Sequence, residues 1–180
     1  AMDAETAGLV SSLREQLDRL TALVRTLLEM SNLQSVSRTD QIALAPLVEE
    51  ILTDLTPLAQ KNNISLQQDC EELGMVGSDA LIYRLVFNLV ENGIKYNRPG
   101  GAVRVTLQQE KQTAVLRITD TGPGIPADCR DSIFQPFFRV DKYRSREMGG
   151  VGLGLALVRE IAVLHGGSVT VERSSENGTT

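Results

Sequence analysis

Tryptophan is absent from this 180-residue chain, and aromatic residues make up only 4% of it. A protein that grips single-stranded nucleic acid by stacking bases on aromatic rings is therefore not expected. Cysteine and histidine are scarce as well: Cys70 and Cys129 form no CxxC pair, and there is one histidine, so the usual zinc ligand sets are lacking. Nothing reads as a secretion signal, so the expectation for the two cysteines is free thiols in a reducing, cytoplasmic compartment. No apolar run comes near the roughly 20 residues that span a bilayer. Positive charge is in the minority, with a net charge of −5, which argues against a broad nucleic-acid-binding face. What is present is a globular composition, 42% hydrophobic and 23% charged, sufficient for one core plus a short appended element.

The opening Ala1-Met2-Asp3 reads as a start chosen within a longer protein. From Glu5 to Ser35 there is no proline and one glycine, and Leu9, Leu13, Leu17, Leu20, Val24 and Leu27 recur at spacings of four and three. That period predicts a long helix with a nearly coiled-coil seam, ending in a polar linker at Ser35–Ser37. Residues 42–44 then read as a short strand. A helix follows from Pro46 through Ala59, with Leu47, Ile51, Leu52 and Leu55 inward and Pro57 in its last turn. Ile64 and Leu66 alternate as a strand, and Met75-Val76 as another. The stretch from Asp79 to Tyr96 is helical, with an apolar face of Leu81, Ile82, Leu85, Val86, Leu89, Val90 and Ile94. Val103, Val105 and Leu107 mark a strand that hairpins through Gln112-Thr113 into a second strand, Val115 to Asp120. A last helix from Gly152 to His165 ends on Gly166-Gly167. Val169 and Val171 begin a further strand, Glu176 to Thr180 makes a turn, and one more strand is expected beyond it.

Three motifs carry chemistry. Asn88 and Asn92 lie four apart on one helix face beside Glu91 and Lys95. Asparagine is a poor helix former, so two of them bordering an apolar stripe cost stability unless used. Their amide oxygens are hard neutral ligands suited to Mg²⁺, and an adjacent ammonium suits phosphate. The plain alternative is a pair of satisfied boundary residues. Asp120-Thr-Gly-Pro-Gly124 closes a strand whose alternation aims the carboxylate into the core layer, where it needs donors. Gly122 and Gly124 let the backbone turn tightly beside a flat ligand, although an ordinary Asp-Gly turn has the same composition. Gly149-Gly-Val-Gly-Leu-Gly154 opens a helix and leaves backbone N–H groups free for phosphate. It is neither a Walker A loop nor a dinucleotide fingerprint. Upstream, Arg139, Lys142, Arg144 and Arg146 give the preceding segment a basic face.

Taken together, Asn88-Leu-Val-Glu-Asn92-Gly-Ile-Lys95-Tyr96, Asp120-Thr-Gly-Pro-Gly124, Phe134-Gln-Pro-Phe-Phe138-Arg139 and Gly150-Val-Gly-Leu-Gly154-Leu-Ala156 resemble the N, G1, F and G2 boxes of sensor histidine kinases of two-component systems. They stand in that family's order, and His165-Gly-Gly167 and Gly178-Thr179 match what normally follows. The leucine-seamed helix resembles the second helix of the family's dimerisation and phosphotransfer hairpin. The resemblance implies two units: residues 1–36, an incomplete hairpin, and residues 37–180, a catalytic ATP-binding domain lacking its last strand. It also implies a GHKL-type α/β sandwich, a mixed sheet backed by three helices, preceded by the long bundle helix.

By matching position, the resemblance implies that Asp120 accepts from the adenine amino group, helped by Thr179 through water. Gly122 and Gly124 bind ATP through the close backbone approach their turn allows, Ile125 lines the adenine pocket and Tyr96 packs near the base. Asn92, with Asn88 nearby, ligates Mg²⁺; Lys95 meets phosphate and Arg139 the γ-phosphate. Gly150, Gly152, Leu153, Gly154 and Leu155 of the G2 box cradle the phosphate chain, and residues 139–152 form a lid that is mobile without nucleotide. The cofactors implied are ATP and Mg²⁺. The partners implied are a response regulator and a second copy through the hairpin helices, with no nucleic acid. Membrane contact is implied only through segments outside this chain, the chain being the cytoplasmic part of an inner- or plasma-membrane sensor.

Hydrolysing relatives carry glutamate where this chain has Asn88, and an amide has no titratable group to activate water. Glu91 is expected to point to a different part of the helix surface. The site therefore reads as one that positions Mg-ATP for γ-phosphoryl transfer to a histidine. The alternatives are a GHKL-fold serine kinase or ATPase, or a binding module with a degenerate pocket. The sequence departs from the pattern in lacking a helix with the His-Glu/Asp signature. Its one histidine, His165, reads as a helix cap. Gly93 stands where alanine is usual, at a helix cost of up to about 1 kcal/mol. The chain alone is expected to bind ATP without autophosphorylating.

Overall fold

A computed structural model describes residues 4–140 and 152–180. The leucine period is realised as one helix, α1 (Ala4–Asn32), followed by a single 3₁₀ turn at Leu33–Ser35 whose Leu33 is buried in the domain core. The polar linker is thus anchored at its start, with Met30 packed against the same core.

Strand β1 (Asp40–Ala43) pairs antiparallel with β3 (Gly74–Gly77) at the edge of the domain. Helix α2 (Leu44–Lys61) takes Pro46 in its first turn, where a backbone N–H has no helical partner to lose. Pro57 lies one turn from its end, so little helix remains beyond the break. Strand β2 (Ser65–Cys70) runs parallel to β4 (Ala102–Glu110), which forms an antiparallel hairpin with β5 (Thr113–Asp120). The order β2–β4–β5 makes a mixed sheet, as expected. The hairpin turn is Lys111-Gln112, one residue earlier than the sequence suggests: Thr113 is already paired with Glu110, and Lys111 takes the left-handed conformation, φ +57°.

Helix α3 (Asp79–Lys95) and helix α4 (Gly154–Leu164) pack side by side, with α2 against α3. One face of each helix joins the inward side of β4. Val48 and Ile51 of α2, Val86, Val90 and Ile94 of α3, Leu157 and Ile161 of α4 and Val103, Val105 and Leu107 of β4 are all essentially inaccessible. Each such side chain contributes about 1.5–3 kcal/mol relative to exposure. Gly93 sits at the closest approach of α3 to the sheet. A methyl there would come within 3.2 Å of Val103, directly across from Asp120 in the β4–β5 register.

The expected strand at Val169–Val171 is not formed. Alternating valines favour extended backbone, but a strand also needs a ladder partner. Among the described residues the pairing begins only at Glu172, which donates to Thr180 O at 2.9 Å. What forms instead is a minimal hairpin, β6 (Ser174–Ser175) with β7 (Gly178–Thr179), so Gly178-Thr179 is strand rather than turn.

Candidate functional site

The site begins with the end of β5. Asp120 is half-buried, and its Oδ1 accepts from Gly122 N–H at 2.7 Å and Thr179 N–H at 3.3 Å. Burial pushes its carboxyl pKa up, and those two N–H groups pull it partly back. Oδ2 has no hydrogen-bond partner among the described residues, leaving one acceptor oxygen for a ligand.

The turn after Asp120 is fixed by small residues. Gly122 is buried beneath the carboxylate, where a Cβ would lie 2.9 Å from Oδ1 and 3.0 Å from Tyr96 O. Gly124 adopts φ +79° against Ser175 O, a position closed to any side chain. Ile125 N–H donates to Ser174 Oγ at 2.7 Å, which holds the loop against the β6–β7 hairpin.

A single cavity collects most of the expected residues: Asn88, Asn92, Lys95 and Tyr96 from α3, Asp120, Gly124 and Ile125 from the β5 end, Arg139, the Gly152–Leu155 segment and Thr179. Gly122 supports it from below rather than lining it. Gly150 and residues 141–151 of the expected lid lie outside the described residues. The helix that carries the G2 glycines starts at Gly154, two residues later than expected. Gly154 faces Asn88, and a Cβ on it would lie 3.1 Å from Asn88 Oδ1. Asn88 Nδ2 donates to Arg84 O at 2.7 Å, so the amide is turned with its oxygen towards that glycine.

Two charged residues differ in their setting. Lys95 is tied to Glu91 at 2.8 Å. Glu91 lines the same cavity, contrary to the expectation that it points elsewhere: the i,i+4 reach to Lys95 keeps both side chains on that face. Arg139 is unlike Lys95. Its Nε and Nη2 are buried without a hydrogen-bond partner among the described residues. Its charge bears on the phenol of Tyr96, lowering a pKa that burial has raised. A buried guanidinium with unused donors is a site for an anion.

No group of three or more His, Cys, Asp or Glu side chains able to hold a metal occurs among the described residues. The candidate donors are instead the amide oxygens of Asn88 and Asn92. This set fits Mg²⁺, which keeps several waters and takes phosphate oxygens alongside one or two protein ligands.

Sequence reasoning missed four residues that hold the site. Thr121 Oγ1 donates to Asn97 Oδ1 at 3.1 Å, and Asn97 Nδ2 donates to Ala102 O at 3.0 Å, tying the loop after β5 to the end of α3. Ser174 bonds both Ile125 and Thr179, and Arg130 Nη2 donates to Ser174 O at 2.6 Å. His165 is a helix cap, as expected. Its Nδ1–H donates to Ile161 O at 2.8 Å and its Nε2 accepts from Ser78 N–H at 3.0 Å.

Comparison with known proteins bears on the family and the fold. A model of the histidine kinase-, DNA gyrase B- and HSP90-like ATPase family matches residues 77–180. The sensor histidine kinase RppB of Synechocystis sp. is 36% identical across 97% of the chain, and the sensor-like histidine kinase SenX3 of Mycolicibacterium smegmatis is 33% identical across 90%. The matches cover 40% and 43% of those proteins' own lengths. Among solved structures, a mycobacterial sensor histidine kinase, MprB, superposes with a TM-score of 0.69 at 29% identity, covering 78% of this chain and 92% of that one. The chain has the GHKL-type fold and belongs to the histidine kinase-, DNA gyrase B- and HSP90-like ATPase family.

Proposed function

We propose that residues 37–180 are the catalytic ATP-binding domain of a sensor histidine kinase, and that residues 1–36 are the second helix of its dimerisation and phosphotransfer hairpin. The cavity holds Mg-ATP and presents its γ-phosphoryl group to a histidine on that hairpin, from which it passes to a response regulator. The observation that carries this reading is Asp120, a half-buried carboxylate with one oxygen saturated and the other open to the same cavity as Asn88, Asn92 and Arg139.

Each residue then has a task. Asp120 Oδ2 accepts from the exocyclic amine of adenine, with Thr179 beside it, while Ile125 and Tyr96 give the base apolar walls. Asn92 and Asn88 hold Mg²⁺, which neutralises phosphate charge when bound. Lys95 and Arg139 orient the phosphate chain, and positioning of this kind supplies most of the catalysis in phosphoryl transfer. Asn88 favours the kinase over the ATPase reading. An amide 3.1 Å from the Gly154 Cβ position, with its nitrogen already donating to Arg84, has no means of deprotonating water.

The test is titration of the chain with ADP and a non-hydrolysable ATP analogue, with and without Mg²⁺, followed by γ-labelled ATP and a separately supplied histidine-bearing hairpin. Magnesium-dependent binding, negligible phosphate release and acid-labile label on the supplied hairpin are expected. Steady phosphate release without label transfer supports the ATPase instead. Acid-stable label on a protein substrate supports the serine kinase.

A further inference from the structure

Among the described residues only two polar side chains rank as buried, Ser78 and Ser174. Ser78 offers its backbone N–H to His165. Ser174 is different, because its hydroxyl sits at the junction of the two elements that frame the nucleotide base.

The hydrogen-bond polarity at this junction can be worked out. Ser174 Oγ accepts from Ile125 N–H at 2.7 Å and lies 2.9 Å from Thr179 Oγ1. One of the two hydroxyls must donate to the other. If Thr179 donated, the proton of the buried Ser174 hydroxyl would have no further hydrogen-bond partner among the described residues. A buried donor left unpaired is costly. With Ser174 O–H donating to Thr179 Oγ1 the more buried proton is paired, and the proton left for a ligand belongs to Thr179, the less buried of the two hydroxyls that line the cavity. Thr179 is half-buried on the cavity wall, so its own proton is then directed to the cavity.

Asp120 is in the same constellation, since Thr179 N–H donates to Asp120 Oδ1. The cavity thus presents an acceptor, Asp120 Oδ2, next to a donor, Thr179 O–H. A 6-aminopurine carries the complementary pair on its edge, an amine donor next to a ring-nitrogen acceptor. A 6-oxopurine carries the reverse.

Resting on the ATP reading above, we propose that Ser174 is a positioning residue for base selection: by donating to Thr179 it fixes Thr179 as a donor beside the Asp120 acceptor, so the site takes a 6-aminopurine nucleotide and rejects a 6-oxopurine one. Ser174 is itself fixed. Its backbone oxygen takes Arg130 Nη2 at 2.6 Å, and the Gly124 turn packs against its hydroxyl.

The test compares Mg-ADP with Mg-IDP, which differ in this edge, by calorimetric titration of the full chain. Ser174→Ala should weaken ADP about three- to tenfold, the worth of one neutral hydrogen bond, with little loss for IDP. The ADP-to-IDP preference should narrow by that factor. Thr179→Val should narrow it similarly, and the double variant no further, because both act through one hydroxyl. Ser174→Cys preserves size with a weak donor and should resemble Ser174→Ala. Folding of each variant is followed by thermal melting, and if neither Ser174 variant folds, the preference in Thr179→Val decides.

An unchanged preference in the folded Ser174 variants, or in Thr179→Val, or fully additive losses in the double variant, would overturn the assignment. Asp120→Asn separates this from the reading beneath it. If that variant binds ADP as the parent does, the adenine pocket itself is wrong. If it loses ADP while the Ser174 variants keep the preference, only the role of Ser174 falls.

Discussion

Asp120 is the residue in which burial and use oppose one another. Desolvation raises its carboxyl pKa above the usual range near 4, despite the Gly122 and Thr179 N–H groups. With the folded pKa above the unfolded one, the ionised form is the costly one, and that cost is relieved as pH falls through the raised value. On the proposed reading nucleotide binding should have the opposite dependence, because the ionised carboxylate is the stronger acceptor and places no O–H donor against an amine. ADP affinity should therefore begin to fall at a higher pH than an ordinary carboxylate would give, and calorimetric titrations from pH 7.5 downwards should show it. Asp120→Asn should remove that pH dependence and weaken ADP by roughly ten- to a hundredfold, since an amide can place a donor against the amine. Arg139 offers a separate check. Its buried, unpartnered Nε and Nη2 should pair with the terminal phosphate, so Arg139→Gln should weaken a non-hydrolysable ATP analogue roughly tenfold or more and ADP less. Equal losses for both would move Arg139 away from the γ-phosphate. Asp120 was legible in the sequence because strand alternation alone aims it inward. Ser174, Asn97 and Thr121 were not, since the Ile125–Ser174 and Thr121–Asn97 bonds join residues 49 and 24 positions apart.

At the scale of elements, periodicity was a good guide wherever an element buries one face. Helices α2, α3 and α4 and strands β4 and β5 lie within a few residues of their expected bounds, and their stripes meet in one core. Val169–Val171 failed because alternation describes a side-chain pattern, whereas a strand is completed by a neighbour. The end of α4 shows what a local signal can do. His165 closes the helix, Gly166 takes φ +72°, and Gly167 N–H and Gly166 N–H reach back to Ala162 O and Val163 O. That much followed from His-Gly-Gly. The bond from Ser78 N–H to His165 Nε2 did not, because it links residues 87 positions apart. It joins the C-terminal end of α4 to the start of α3, the helix that bears Asn88 and Asn92. His165→Ala should leave Ser78 N–H buried and unpaired and cost about 1–3 kcal/mol in urea unfolding. A loss below about 0.5 kcal/mol would show that water or a shifted backbone replaces the imidazole.

At the scale of the whole molecule, α1 stands apart from this economy of burial. Its C-terminal end is anchored by Met30 and Leu33, but the seam above it is bare, with Leu13 69% and Leu17 66% exposed and Leu9, Leu20 and Val24 above half. Leucines at spacings of four and three in such a helix are explained by another helix, because an apolar stripe of this length is costly to leave in water. No helix among the described residues is long and apolar enough to cross a membrane. The chain should therefore self-associate through α1, and sedimentation velocity over roughly 1–100 μM should show a concentration-dependent dimer or higher species. Each leucine fully buried in that contact is worth about 1.5–3 kcal/mol. Leu13→Glu with Leu17→Glu should then shift the association beyond the accessible range. The cavity is built chiefly from α3, the end of β5, α4 and the β6–β7 hairpin; α1 lends it Thr26 but neither Leu13 nor Leu17, so ADP affinity should be the same in this variant. A monomer throughout the range for the parent chain would mean that the seam requires a different helix. A fall in ADP affinity with the double substitution would mean that the α1 seam is coupled to the site, and the division of the chain near residue 36 would then be misplaced.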